Sequence, residues 1–437
     1  MRDYLDSLRA AGDLAVVARE VDPKHELAAV TAAFQERHDG AILFENVRGA
    51  SMPAVSNVYG SRQRLCRLIG APDLAFCPSW SRLAARAPER AQLKRVAGNR
   101  RRAALADLPQ PTYFEKDAGP YITAGILLTE HPETGIPNLS FHRAMHVGDG
   151  ELRIRIGTSH DLSRYFQAAE AKDRPLEAAI LVGAAPEVFL AACASIPPDA
   201  DELAVANAVA GGPIAVTPCE TIGLAVPADS QIVIEGRILP HERRPEGPFG
   251  EFMGYYVPRE DNHVFEVTAV TIADDPVYHA LVCGSPEDLI PLETAIAAKI
   301  YRHLTGLLPG IVDVSCNPQL LNTVVKIRQR YEGHARHVLL AAFGAHPDYS
   351  KTCMVTDEDV DIHDLNDVWW AFVTRGRADT RSLVVPDMPG FYRDPHRDHW
   401  GRLGIDATKP FGREDEFERK RIPGAGAIDL ADYVGRR

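Results

Sequence analysis

Along the chain, the spacing of apolar residues switches between helical and strand periods and divides it into three stretches. Tyr4, Leu5, Leu8 and Leu14 suit one face of a helix, while Ala41 to Phe44 reads as a buried strand, so residues 2–105 predict an α/β opening unit. Residues 82–102 are basic and read as a helix with a solvated charged face, and Pro109-Gln110-Pro111-Thr112 marks a boundary. From Tyr113 to about Gly284 strands dominate, at 121–128, 152–156, 179–182, 231–238 and 264–272. Several alternate with period two, as half-buried antiparallel strands do, and a β-barrel or strongly twisted sheet would close them. Helical inserts fall at 162–171 and 186–194, the second opening Pro-Glu. After Ser285 helices at 292–304, 331–343 and 364–374 alternate with strands at 311–314 and 322–327, and this third α/β unit is expected to end near Thr374. The tail beyond it carries Pro386, Pro389, Pro395 and Pro410, a mixed-charge stretch at 413–421 and a short helix at 427–434; its aromatic and apolar residues predict docking.

Composition narrows the class. A chain of 437 residues is long enough for two or three domains, each with its own core. With 45% hydrophobic and 25% charged residues it is globular, and a formal charge of −12 argues against general affinity for nucleic acid or anionic membrane. Seven cysteines without a CxxC pair suit free thiols in a reducing cytoplasm and argue against a zinc cluster. The first 14 residues form a charged amphipathic pattern, and no run of about 18 apolar residues occurs. These features predict a soluble intracellular protein with no membrane insertion.

The chemistry concentrates in Pro245-Glu-Gly-Pro-Phe-Gly-Glu251, where Glu246 and Glu251 flank a Gly-Pro-Phe-Gly bend. Gly247 and Gly250 admit backbone angles closed to other residues and Pro248 fixes its own φ, so a shaped turn is expected. Such a turn can aim both carboxylates into one cavity, where crowding pushes one towards the neutral acid that a proton donor needs. On these residues alone a solvated acidic loop is the other reading. Upstream lie Asn138-Leu-Ser140-Phe-His142-Arg143 and, beyond a strand, His160. Asn138, His160 and Glu202 could form a mixed O/N site for Mn²⁺ or Mg²⁺, although spacing alone equally allows His160 to be an ordinary histidine. Arg143, in a strand-rich apolar unit, needs an anionic partner, and the turn's glutamates are the candidates.

Taken in order, these motifs resemble the UbiD-like decarboxylases. The resemblance rests on Asn-x-Ser-x-x-Arg at 138–143, His160, Asp-Glu followed by an Ala/Gly-rich strand at 201–211, residues 226–236 and the turn at 245–251. It continues through 361–375 and Gly404-Ile-Asp-Ala-Thr408. What it implies is an α/β multidomain fold. An N-terminal α/β domain (1–108) and a C-terminal α/β oligomerisation domain with a docking tail (296–437) would flank a central, flavin-reductase-like split β-barrel (109–295). The resemblance also implies a non-oxidative, in some relatives reversible, decarboxylase of an aromatic, heteroaromatic or α,β-unsaturated carboxylic acid. Its cofactor would be prenylated FMN, made by a flavin prenyltransferase and bonded covalently to the substrate during the reaction.

In relatives a divalent ion, usually manganese, joins the flavin phosphate to the protein, with K⁺ nearby. By position its ligands here would be Asn138, His160 and Glu202, which accounts for the lack of any Gly-rich phosphate loop. Ser140, Phe141, His142, Arg143, Ser159, His160, Ser195 and Ile196 would lie against the cofactor, and Arg402 would reach its phosphate. Arg143 would take the substrate carboxylate, Glu251 donate the proton, and Glu246 hold Arg143 and tune Glu251. His142 departs from the small or apolar residue found in several relatives. Either His142 and His146 both point outward, or His142 bears on the phosphate or on oligomer contacts. A homo-oligomer, dimer or hexamer, is expected. The competing expectations are an FMN-dependent oxidoreductase, for which no nicotinamide fingerprint is visible, and a catalytically silent flavin-binding protein on the same fold.

Overall fold

The computed structural model describes residues 1–148, 150–157, 161–391, 394, 399–424, 428 and 433. Helix Arg2–Ala10 buries Leu5 and Leu8 as its pattern predicts. Leu14 does not extend that face. Gly12 turns the chain with φ 75°, and Leu14 opens the strand Leu14–Val17. That strand runs parallel to the fully buried Ala41–Phe44, followed in the sheet by Ala54–Ser56 and Tyr278–His279. A second correction concerns residues 82–102. The helix Phe76–Ala84 stops at their start, and two short strands follow, Leu93–Arg95 beside Ile214–Pro218 and Arg101–Ala103 beside Glu260–Ile272. Pro88 and Gly98 break the helical period, and the exposed basic side chains leave the backbone to pair with neighbouring strands.

The central sheet has nine strands. Its path runs Tyr121–Ile122, Ala144–Gly148, Glu151–Ile154, Glu260–Ile272, Ile232–Glu246, Leu176–Val182, Ile126–Glu130 and Pro137–Phe141, with Arg101–Ala103 attached to Glu260–Ile272. Among the described residues the two ends do not pair, so the barrel expected from the resemblance is an open, bent sheet here. The bending has a visible source in its longest pair. Ile232–Glu246 and Glu260–Ile272 slip register at Glu235/Gly236 and again between Ile238 and Arg243. Gly236 permits the first slip, because a Cβ there would stand 2.1 Å from the Glu266 carbonyl oxygen. The segment predicted as one strand at 121–128 is two, separated around Gly125, which is crowded by Ile180 and Ile122.

Residues 201–211 form a helix, Glu202–Ala210, and not the Ala/Gly-rich strand expected. Asp201 caps its N-terminus by accepting from the Ala204 N–H, and Gly211 ends it at φ 71°. Alanine-rich sequence between such caps favours helix over strand. The C-terminal sheet orders Ile311–Ser315, Asn322–Ile327, Thr352–Asp357, His399–Asp406 and Ser382–Pro389. The third unit therefore runs well past Thr374: the proline-rich segment supplies an edge strand, where missing N–H groups cost least. The short helix expected at 427–434 lies outside the described residues.

One apolar cluster joins the N-terminal, central and C-terminal sheets, from Leu5 and Leu8 through Phe189 and Leu190 to Ile300, Val338 and Leu339. Helix Pro286–Leu307 is its axis, packing against Phe76–Ala84 on one side and His334–Gly344 on another. Among the described residues no helix is long and apolar enough to cross a membrane.

Candidate active site

A cavity of about 490 Å³ opens between the end of the central sheet, the turn at 247–252 and helix Pro286–Leu307. Its lining includes Asn138, Ser140, Phe141, His142, Arg143, Ser195, Ile196, Glu202 and Glu251, which the fold brings together from four separate segments.

Strand Pro137–Phe141 is the last of the sheet, and helix Glu202–Ala210 aims its N-terminus at it. Glu202 accepts from the Leu139 N–H at 3.2 Å and from Asn138 Nδ2 at 3.3 Å. Burial pushes its carboxyl up to about 8, against the lowering effect of its own and the Leu139 backbone N–H. Ser140 Oγ lies 3.0 Å from Asn138 Oδ1 and 2.9 Å from His142 Nε2. The other ring nitrogen, Nδ1, is 2.9 Å from the Arg155 carbonyl, which can only accept, so His142 donates there. His142 is thus buried and faces the cavity, which corrects the outward reading; His146 is half-buried on the next strand. Ser159 and His160 lie outside the described residues. Among the described residues no group of three His, Cys, Asp or Glu side chains could hold a metal.

Arg143 follows that strand and forms a bidentate pair with Glu246, Nε to Oε1 at 2.9 Å and Nη2 to Oε2 at 2.8 Å. Tyr121 Oη (2.8 Å) and Asn262 Nδ2 (2.9 Å) donate to the same carboxylate. The guanidinium lies 4.6 Å from the centre of the Phe249 ring. With side-chain exposures of 8% and 0% the pair is desolvated, and only this density of donors makes that tolerable. One guanidinium nitrogen, Nη1, is buried without a partner. Since Arg143 lines the cavity, an anion bound there is the natural acceptor for it.

Glu246 itself does not line the cavity, so the turn does not aim both carboxylates into one space. It withdraws Glu246 behind Arg143 and presents Glu251. The chain passes from Glu246 through a cis Gly247–Pro248 peptide, with Gly247 at φ 89°, into the short strand Phe249–Gly250. A Cβ on Gly250 would stand 2.3 Å from the Phe114 ring, so the glycine is required by packing. Glu251 is buried and accepts from the Met253 N–H at 3.2 Å.

Arg402 does not reach the cavity. Fully buried, it donates to the carbonyls of Phe343 (2.8 Å) and Pro347 (2.7 Å), bracing the loop whose His346, Pro347, Asp348 and Tyr349 form part of the wall. Carbonyls left unpaired by the end of helix His334–Gly344 claim its charge.

Sequence reasoning missed Asp288, Lys299 and His346 on the wall and Tyr121 and Asn262 behind it. Burial, with Glu251 as a like charge nearby, pushes the Asp288 carboxyl up to about 6. Only its place just after Pro286, at a helix start, could have drawn attention to it.

Comparison with known proteins bears on this arrangement. Models of the 3-octaprenyl-4-hydroxybenzoate carboxy-lyase N-terminal domain, Rift-related domain and C-terminal domain match residues 5–83, 85–286 and 292–407. The chain is 31% identical to an anhydromevalonate phosphate decarboxylase of Methanothermobacter thermautotrophicus, over 96% of this chain and 99% of the relative. Among solved structures it resembles the UbiD-class enzyme HmfF from Pelotomaculum thermopropionicum in complex with FMN (TM-score 0.93, 35% identity, 99% of both chains). An evolved dimeric form of HmfF in complex with prenylated FMN gives a TM-score of 0.90 at 34% identity, again over 99% of both chains.

Proposed function

We propose, from the premise that this chain belongs to the UbiD family of carboxy-lyases, that it is a non-oxidative decarboxylase of an aromatic, heteroaromatic or α,β-unsaturated carboxylic acid. The observation that carries this reading is Arg143, held by Glu246 through two nitrogens, with a third buried and unpartnered, on a cavity that also holds Glu251.

Each residue then has a distinct task. Arg143 takes a substrate carboxylate on its free Nη1, at no further cost in orientation because Glu246, Tyr121, Asn262 and Phe249 already hold it. Glu246 has all its oxygens engaged and positions Arg143 without exchanging protons with the substrate. Glu251 returns the proton to the carbon that has lost CO₂. Asp288, on the same wall, is a second acid from which Glu251 can be reprotonated. Prenylated FMN, when bound, supplies the sink for the electrons that CO₂ leaves behind. The cavity fits such a group in size and in its buried donors. Asn138 and Glu202 fit a divalent ion as well, being adjacent, buried oxygen-bearing side chains of the kind Mn²⁺ or Mg²⁺ takes. They would hold that ion together with His160.

The test is to co-express the chain with a flavin prenyltransferase and measure CO₂ release from a panel of aromatic and unsaturated acids without NAD(P)H. Release of CO₂ is expected. Oxidation of NAD(P)H without CO₂ would instead mark an FMN-dependent oxidoreductase, and flavin binding with no turnover of any kind a silent binding protein.

A further inference from the structure

Helix Pro286–Leu307 lays one stripe along the cavity, with Asp288, Leu292, Ile296 and Lys299 all in the wall. Their spacing of four, four and three residues is that of a single helical face. At ~1.5 Å per residue the stripe spans ~16 Å, so the cavity has two chemically different ends. At one, Asp288 stands near Glu251, and Gly284 packs on the Phe252 backbone. At the other, one turn beyond Lys299, Arg302 donates to the Ser195 carbonyl at 3.0 Å. Ser195 therefore lines the cavity at that end, and Ile196, Pro198 and Glu202 line the same cavity.

Lys299 is half-buried and makes no hydrogen bond or ion pair within 4.0 Å among the described residues. Burial, and then Arg302, hold its pKa below the usual lysine value, with Asp348 opposing them. A desolvated cation beside a second cation is costly unless an anion joins them. His346 stands on the same wall. Its Nδ1 accepts from the Asp348 N–H at 3.2 Å, which leaves the proton of the neutral ring on Nε2 as a further donor.

We propose that Lys299 binds the phosphate monoester of the flavin mononucleotide, from the side of helix Pro286–Leu307, with His346 beside it. Asn138, on the last strand of the central sheet, and Glu202, at the start of helix Glu202–Ala210, line the same cavity. The flavin ring then lies at the Arg143–Glu251 end, and the ~16 Å stripe matches an elongated nucleotide laid along the helix. This inference rests on the reading of the cavity as a flavin site. The same phosphate chemistry could come from a phosphorylated substrate, and the experiment separates the two sources.

Wild type, Lys299→Met and Lys299→Arg are titrated with FMN and with riboflavin at fixed Mn²⁺, following flavin fluorescence. Methionine keeps the length and helix propensity of lysine, so the fold is retained. Lys299→Met is expected to bind FMN about ten-fold more weakly or worse, the size of one lost charge-assisted contact. Its riboflavin affinity should be unchanged, and Lys299→Arg should recover most of the FMN affinity. Equal FMN affinity in Lys299→Met and wild type overturns the assignment, as does a parallel loss for riboflavin, which would mark damaged packing. If FMN affinity holds while FMN-loaded Lys299→Met alone loses binding of phosphoenolpyruvate, a phosphorylated unsaturated acid, the phosphate is the substrate's and the cofactor assignment falls. A wild type that binds neither flavin would overturn the flavin reading of the cavity itself, a result distinct from all of these.

Discussion

Two glutamates five residues apart in sequence end up in opposite surroundings. Glu246 is held by Arg143, Tyr121 and Asn262, whereas Glu251 accepts from the Met253 N–H and faces the cavity. Glu251→Gln keeps the shape and that acceptor but cannot deliver a proton. Release of decarboxylated product should fall at least about a hundred-fold while FMN affinity, measured by fluorescence, stays within experimental scatter; full turnover would remove Glu251 as the acid. A second residue-scale prediction concerns Glu293, buried on helix Pro286–Leu307 and accepting from the Gln319 N–H at 2.9 Å. Burial raises its pKa from 4.5 to about 7. The folded chain therefore binds a proton in that window that the unfolded chain releases. This contribution to stability is complete below about 4.5 and is lost as pH rises towards about 7. It amounts to about 3 kcal/mol at most. Glu293→Gln should gain stability relative to wild type on moving from pH 4.5 to 8 in urea denaturation; identical pH slopes for the two proteins would contradict this.

Single elements show where local pattern sufficed and where it did not. Amphipathic spacing located the helices near 162–171, 186–194 and 364–374 to within a residue or two, because each buries one face on its own sheet. The basic helix read at 82–102 and the strand taken with the resemblance at 201–211 are both wrong, because caps, breakers and the offer of a neighbouring strand decided the outcome. The turn at 245–251 was legible as a turn because Gly247 and Gly250 are each forced, one by its φ and one by Phe114. Gly250→Ala should therefore lower the melting midpoint and cost about 1–3 kcal/mol through overpacking, with activity lost as Glu251 shifts. Gly212→Ala, where nothing lies within 4 Å, is the control and should leave both unchanged. Equal effects at the two sites would show that the Phe114 contact does not fix the turn.

Across the whole molecule, helix Pro286–Leu307 joins the N-terminal sheet, the cavity and the C-terminal sheet, and its first turn is anchored by Glu287. That carboxylate accepts from the backbone N–H groups of Asn57 (2.5 Å) and Tyr59 (3.1 Å) and contacts His279 Nε2 (2.8 Å). Glu287→Ala leaves buried donors unpaired, at about 1–3 kcal/mol each. It should lower the melting midpoint more than Glu287→Gln, which keeps one acceptor oxygen; equal midpoints for the two variants would show that the anchor carries no weight. Such long-range contacts explain the division between what was readable and what was not. The ordered motifs at 138–143 and 245–251 were legible in the chain itself, and together they pointed to the family and to the roles proposed here for Arg143, Glu246 and Glu251. The tertiary structure alone decided that Glu246 stands behind Arg143, that Arg402 braces a loop, that His142 turns inward, and that Asp288 and Lys299 face the cavity. Which face of a buried helix meets a cavity depends on packing partners hundreds of residues away, and local periodicity reports that a face is buried without saying against what.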